Sequence, residues 1–193
     1  SDRDVPTRLQ IFRPDGRRLI DRDLTDVVPP RRLLTSSPTV SGGISFTTDG
    51  RSLYFVAIDQ DPTYLAARLV RFDVASGELE IVARDIGGPG GSISPDGRRY
   101  YFARAAGDHH DLAAVDLDTR EVRVLDAQPH GAFIAQPRVS PDGTRLVVTT
   151  FDGRRFGLAL YDAATGRRLR ALDTGALSVN DASFADDERV GFL

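Results

Sequence analysis

The chain has three histidines, two of them adjacent in His109-His110-Asp111 and the third at His130, close before Phe133. Imidazoles brought together can ligate a metal or make a pH-sensitive contact, because their ordinary pKa lies near neutrality. Neighbouring side chains on a strand point to opposite sides, whereas in a loop they can converge. The position of His109 and His110 between two strand-like runs predicts a loop. The simpler reading is then exposed loop histidines with one ring packed on a neighbour. His130 and Phe133 fall in a second connection, Asp126-Ala-Gln-Pro-His-Gly-Ala-Phe-Ile-Ala-Gln136. With Tyr64 as a further loop candidate, His109, His110, His130 and Phe133 are the candidate binding residues. No metal site is assigned among them.

Catalytic patterns are missing. Ser41-Gly-Gly-Ile-Ser45 and Gly90-Gly-Ser-Ile-Ser94 do not form a Gly-x-Ser-x-Gly elbow, and neither a phosphate loop nor His-Glu-x-x-His occurs. With no cysteine there is no thiolate ligand or nucleophile. Asp59-Gln-Asp61 and Asp116-Leu-Asp118 lack the glycine and distal glutamate of an EF-hand loop and read as solvated turn carboxylates. The pairs Arg98-Arg99, Arg154-Arg155 and Arg167-Arg168 suit carboxylate recognition, but read more simply as a solvated outer-strand face. Gly87-Gly-Pro-Gly-Gly91 reads as a flexible joint. A non-enzymatic protein without a cofactor is expected.

Composition narrows the classes further. All 25 basic residues are arginine, and 24 of the 28 acidic residues are aspartate, a profile that depletes helix formers and enriches a turn former. The net charge of −3, with both signs interspersed, argues against a nucleic-acid footprint. No apolar run of about 18 residues is present to span a membrane. With no methionine in the chain, Ser1 reads as a processed, excised or engineered start.

The elements that must hold the candidate residues recur along the chain. Phe46-Thr-Thr-Asp-Gly-Arg-Ser-Leu-Tyr-Phe55, Ile93-Ser-Pro-Asp-Gly-Arg-Arg-Tyr-Tyr-Phe102 and Val139-Ser-Pro-Asp-Gly-Thr-Arg-Leu-Val-Val148 align, with a degenerate fourth copy at 184–192. Their turn aspartates Asp49, Asp96 and Asp142 are 47 and 46 residues apart. A second unit lies between them: Leu69-Val-Arg-Phe-Asp73 with Ser76-Gly77, Leu112-Ala-Ala-Val-Asp116 with Thr119-Arg120, and Leu158-Ala-Leu-Tyr-Asp162 with Thr165-Gly166. Proline presets φ for the first central turn position, aspartate bonds its own backbone, and glycine accepts the positive φ that reverses the chain. Aspartates ending the third strand read as caps on the next turn. Four short strands in a period of about 45 residues is the pattern of a β-propeller blade.

Ser94-Pro-Asp-Gly97 and Ser140-Pro-Asp-Gly143, each followed by an apolar strand, an aspartate-ended strand and a tight turn, resemble the WD-like repeats of TolB-like propellers over about residues 40–193. The expected fold is all-β: a single propeller of four-stranded antiparallel blades at about 8–40 (incomplete), 41–84, 88–127, 134–173 and 178–193 (incomplete). Two arrangements are open. The last strands pair with the first to close a small ring of about four blades, or the chain is part of a larger propeller. An open edge would also allow self-association. The resemblance implies a binding or scaffold module of the bacterial envelope, periplasmic or secreted, with a protein or peptide partner. The alternative is part of the substrate-gating propeller of a prolyl oligopeptidase family serine peptidase. Binding is expected at the blade-to-blade loops near 35–43, 84–91, 126–137 and 173–181, the third being the longest.

Overall fold

The Ser-Pro-Asp-Gly turns close on themselves. In the computed structural model, which describes residues 8–24, 40–58, 67–174 and 182–192, the Ser94 hydroxyl donates to Asp96 at 2.5 Å and accepts the Arg99 N–H at 2.9 Å. Asp96 also accepts the Arg98 N–H. Thr47 with Asp49, and Ser140 with Asp142, repeat the arrangement. In the second unit, Asp73, Asp116 and Asp162 each accept two backbone N–H groups from the turn that follows, so these aspartates do cap it. Every 20 to 26 residues, from Asp49 through Asp73, Asp96, Asp116 and Asp142 to Asp162, the chain is thus reversed by a turn that satisfies its own polar groups.

Between the turns run β1 (Arg8–Phe12), β2 (Arg18–Asp23), β3 (Val40–Phe46), β4 (Ser52–Ile58), β5 (Ala67–Asp73), β6 (Leu79–Ile93), β7 (Arg99–Ala106), β8 (His109–Asp116), β9 (Val122–Asp126), β10 (Phe133–Val139), β11 (Arg145–Phe151), β12 (Phe156–Asp162), β13 (Arg168–Leu172), β14 (Ser183–Phe184) and β15 (Val190–Gly191). They form three antiparallel four-stranded meanders: β3-β4-β5-β6, β6-β7-β8-β9 and β10-β11-β12-β13. The first two share β6, which pairs with β5 as far as Ile86 and with β7 from Ile86 onward. Gly87 to Gly91 is therefore strand and not the flexible joint that its composition suggests. At Gly91 the paired strand of the same blade leaves no room for a side chain: a Cβ there would stand 2.4 Å from the Tyr101 carbonyl oxygen and 2.5 Å from the Tyr100 ring, both on β7.

The blades are stacked face to face, and the side-chain period of two explains how. On β4, Leu53, Phe55 and Ala57 face one way and Tyr54 and Val56 the other. Tyr54 and Val56 join Tyr100, Phe102, Ala113 and Val115 of the middle blade. The opposite face of the middle blade, Tyr101, Leu112 and Ala114, meets Ile134, Leu146, Val148, Ala159 and Tyr161 of the third. Both faces of each blade are buried, which is why central strands such as Leu146-Val-Val148 read as continuous apolar runs with weak alternation.

The two terminal hairpins cover the ends of this stack. Leu9 and Leu24, with Ile11 and Ile20, lie on the Leu53-Phe55-Ala57 face, while Ala182, Phe184 and Val190 lie on Val147, Leu158 and Leu160 of the third blade. Among the described residues β1-β2 and β14-β15 are separate two-stranded sheets, so the strands form an open arc and the ring is not closed by their pairing.

Candidate functional site

Strand direction sorts the turns into two edges. The Ser-Pro-Asp-Gly and Asp-capped turns lie on one, and the β7–β8, β9–β10 and β11–β12 connections lie on the other, because the strands alternate in direction. On the first edge the carboxylates are occupied by their own turns. Hydrogen bonds hold them below the usual carboxylate range, Asp142 to about 2, with the Ser140 hydroxyl as the largest cause and Thr144 next. Asp116 is such an acceptor, taking the Asp118 and Thr119 N–H groups; Asp59 and Asp61 lie outside the described residues.

The histidines are on the second edge; His130 lies in its connection, but His109 and His110 are not in the expected loop. Gly107 and Asp108 alone make the β7–β8 turn, with Ala106 paired to His109 and a φ of 73° at Gly107, the type II′ preference for glycine at the first central position. His109 and His110 therefore start β8, and the strand sends them to opposite sides. His110 turns to Phe133, with ring centroids 5.9 Å apart, and burial, followed by the nearby His109, holds its imidazole below the ordinary range. His109 turns to Asp108, whose Oδ1 lies 3.2 Å from its Nδ1, and to Asp111, whose Oδ1 lies 3.6 Å from its Nε2. The two sequence neighbours are separated, and His109 meets His130 instead, rings 5.5 Å apart and edge to face.

His130 is brought there by a connection tied at both ends to β8. The expected long loop at 126–137 is shorter, since Phe133 already begins β10. At its start the buried Asp111 accepts the Gln128 N–H at 2.9 Å, with Arg104 3.7 Å away. At its end the His110 N–H reaches the Ala132 carbonyl, and Phe133 pairs in parallel with His110. His130 sits at the tip, its Nδ1 2.8 Å from Asp108 Oδ1. The hydrogen bonds of His130 first, then His109, lower the Asp108 carboxyl.

Beside this cluster lies an aromatic shelf. Phe133 stacks on Phe151 at 4.9 Å, and Phe156 meets both, at 5.8 Å and 4.8 Å. Phe156 is 37% exposed although apolar. Asp111 is seen by motif reading only as the neighbour of the histidines, and Asp108, Phe151 and Phe156 are missed by it. Their signal is the repeat itself, because Phe151-Asp-Gly-Arg-Arg-Phe156 occupies in the third blade the place of Ala106-Gly-Asp-His109 in the second. Tyr64 and much of the 35–43 and 173–181 connections lie outside the described residues. The arginine pairs are exposed but dispersed: Arg98-Arg99 and Arg154-Arg155 flank turns on opposite edges, and Arg167-Arg168 enters an outer strand, so they form no common fork. A groove of about 220 Å³ on the first edge, lined by Arg99, Asp116, Glu121 and Arg123 among others, balances its own charges.

No protein-family model and no curated protein matches the chain. Solved structures do. TolB from Acinetobacter baumannii superposes with a TM-score of 0.66 at 18% identity, over 96% of this chain and 42% of that one. The oligogalacturonate lyase of Vibrio parahaemolyticus gives 0.59 at 17%, over 97% and 52%. The propeller domain of the Trilobed protease from Pyrococcus furiosus, described as having an open velcro topology, gives 0.53 at 13%, over 72% and 44%. The chain spans between 42% and 61% of the length of the first structures it matches. With its all-β blades and their stacked faces, the chain has a TolB-like β-propeller fold.

Proposed function

We propose that the chain is a non-enzymatic binding module that receives a protein or peptide partner on the edge carrying the β7–β8, β9–β10 and β11–β12 connections. The observation that supports this is the contrast between edges. On one, repeated turns consume their own polar groups; on the other, non-repeated side chains gather in two groups, His109 with His130 and Phe133 with the partly exposed Phe156. Aromatic side chains partly open to solvent and backed by packed neighbours have the character of interface anchors. A location in the bacterial envelope, periplasmic or secreted, belongs to the same proposal and follows the TolB likeness. The peptidase-propeller alternative shares this fold and is separated from it by one observation, a hydrolase domain with a nucleophile elbow in the same reading frame.

The test is affinity capture from an envelope extract of the source organism, followed by titration of the purified partner. The Phe133→Ala/Phe156→Ala variant should lose a partner that the parent protein and an Arg98→Ala control on the opposite edge both retain. Equal affinity of the aromatic variant for that partner would overturn the assignment of this edge.

A further inference from the structure

We propose that Asp108, His109 and His130 form a binding site for a divalent transition-metal ion of the zinc type. One ligand atom from each lies within 4.8 Å of the other two. Asp108 Oδ1 is 2.8 Å from His130 Nδ1 and 3.2 Å from His109 Nδ1. Zn–N and Zn–O bonds of roughly 2.0–2.1 Å set tetrahedral ligand atoms about 3.3 Å apart. The donors therefore need to move by only a few tenths of an ångström around Asp108, and the His109–His130 pair closes by a rotation of the exposed His130 ring. Without metal, one carboxylate oxygen is shared by two imidazoles; with it, all three lone pairs turn onto the ion.

Donor type selects the metal. Two imidazole nitrogens and one carboxylate suit zinc and its first-row neighbours, whereas calcium and magnesium require sites built of oxygen. Three protein ligands leave a fourth position for water or a partner group. The scaffold is prepared. Asp108 is fixed in a two-residue turn, His109 in a strand, and the His130 connection is tied to β8 through the Gln128 N–H and the Ala132 carbonyl. Asp111, with 5% of its side chain exposed, lies 3.6 Å from His109 Nε2, on the far side of the ring from Asp108. A carboxylate behind a ligating histidine fixes its tautomer and strengthens it as a donor. The site is thus more than two surface histidines near an acid, because the buried Asp111 stands behind His109, within reach of its Nε2, and anchors the base of the connection that presents His130.

The experiment is calorimetric titration of zinc chloride into the tag-free chain, with cobalt(II) absorption as a second readout. A saturable one-to-one isotherm and the visible absorption bands of four-coordinate cobalt are expected. His130→Ala removes a ligand whose side chain is 88% exposed, so the fold is not at risk, and should weaken binding at least tenfold. Asp111→Asn leaves all three ligands in place and should weaken it about 10–100-fold; an unchanged metal-free melting temperature separates this effect from unfolding. Absence of one-to-one binding, or equal affinity in His130→Ala, would overturn the site. The partner test above uses Phe133 and Phe156, which leave the three donors intact, so the two proposals fail independently.

Discussion

Gly166 offers a sharp measure of how the blades hold one another. It lies in the β12–β13 turn at a φ of 74°, where a Cβ would stand 2.4 Å from Leu125 Cβ and 2.6 Å from the Leu125 carbonyl oxygen on β9 of the preceding blade. Gly97 has nearly the same φ, 72°, yet a Cβ there meets no atom of the described residues within 4 Å. Alanine at Gly97 costs left-handed strain of about 1–2 kcal/mol, offset by a stiffer unfolded chain worth about 0.4–1 kcal/mol. Alanine at Gly166 carries both of these and adds the overlap. The atoms it meets are backbone and Cβ, so no rotamer change relieves the clash and the blades must separate. Overpacking of this kind typically costs about 1–3 kcal/mol. Strain and unfolded-state contributions cancel in the comparison, leaving the interface alone. Urea denaturation of Gly166→Ala and Gly97→Ala should thus differ by about 1–3 kcal/mol at a common slope, with melting temperatures apart by roughly 2–4 °C for each kcal/mol. Equal stabilities would refute the reasoning. Arg120, at the corresponding turn of the middle blade, adopts a φ of 67° and reaches Glu80 at 2.7 Å, so a side chain is accommodated where the neighbouring blade leaves room.

Two further outcomes can be checked by melting. Tyr100 is fully buried, its hydroxyl has no hydrogen-bond partner among the described residues, and burial pushes its phenol well above the ordinary range. Tyr100→Phe should leave stability unchanged or raise it, and a loss of about 1 kcal/mol or more would show that the hydroxyl is bonded. The turn carboxylates Asp49, Asp96, Asp142 and Asp162 are all depressed below their ordinary values by hydrogen bonds to their own turns. A group depressed in the folded state contributes stability that is present above its unfolded pKa and lost as pH falls through the folded one. The melting temperature should hold from pH 7 to 5 and fall between about pH 4 and 2, the lower limit set by Asp142 at about 2; indifference to pH across that window would count against the turn bonds.

The repeat made the blades legible because its determinants are local. A Ser-Pro-Asp-Gly turn satisfies its own polar groups within six residues, from Ser94 to Arg99, so the same letters produce the same reversal wherever they occur. The site was legible only in part. His109, His130 and Phe133 were visible as residue types, but what gives them chemistry depends on tertiary contacts: Phe156 comes from the next blade, and Asp111, though in the motif itself, acts by holding Gln128, 17 residues on, at the base of the His130 connection. The loop reading of His109-His110 failed because a two-residue Gly-Asp turn is short enough to leave both histidines on the strand, where alternation separates them. The Gly87 to Gly91 joint failed for the converse reason. Gly91 answers a close approach of Tyr100 and Tyr101 on the paired strand, a demand that local composition cannot distinguish from flexibility.

That division locates where function can reside in such a chain. Positions fixed by the repeat are committed to turning the strand or filling a face shared with the next blade, and substituting them disturbs the stack. Freedom is left at the connections on the opposite edge, where successive copies differ: Gly107-Asp108 in the middle blade against Asp152-Gly-Arg-Arg155 in the third. The first is tight and sets an acid beside two histidines. The second is wider, and its flanking Phe151 and Phe156 stack against Phe133, which the preceding connection delivers. Each cluster requires two connections, the acid and histidines those on either side of β8 and β9, the aromatic shelf that of the third blade as well, so for the shelf face-to-face blade packing converts a difference between copies into a site. A substitution that parts the second and third blades, such as Gly166→Ala, should then weaken zinc binding less than partner binding. The three metal donors all belong to connections anchored on β8, whereas the aromatic shelf draws Phe151 and Phe156 from the third blade.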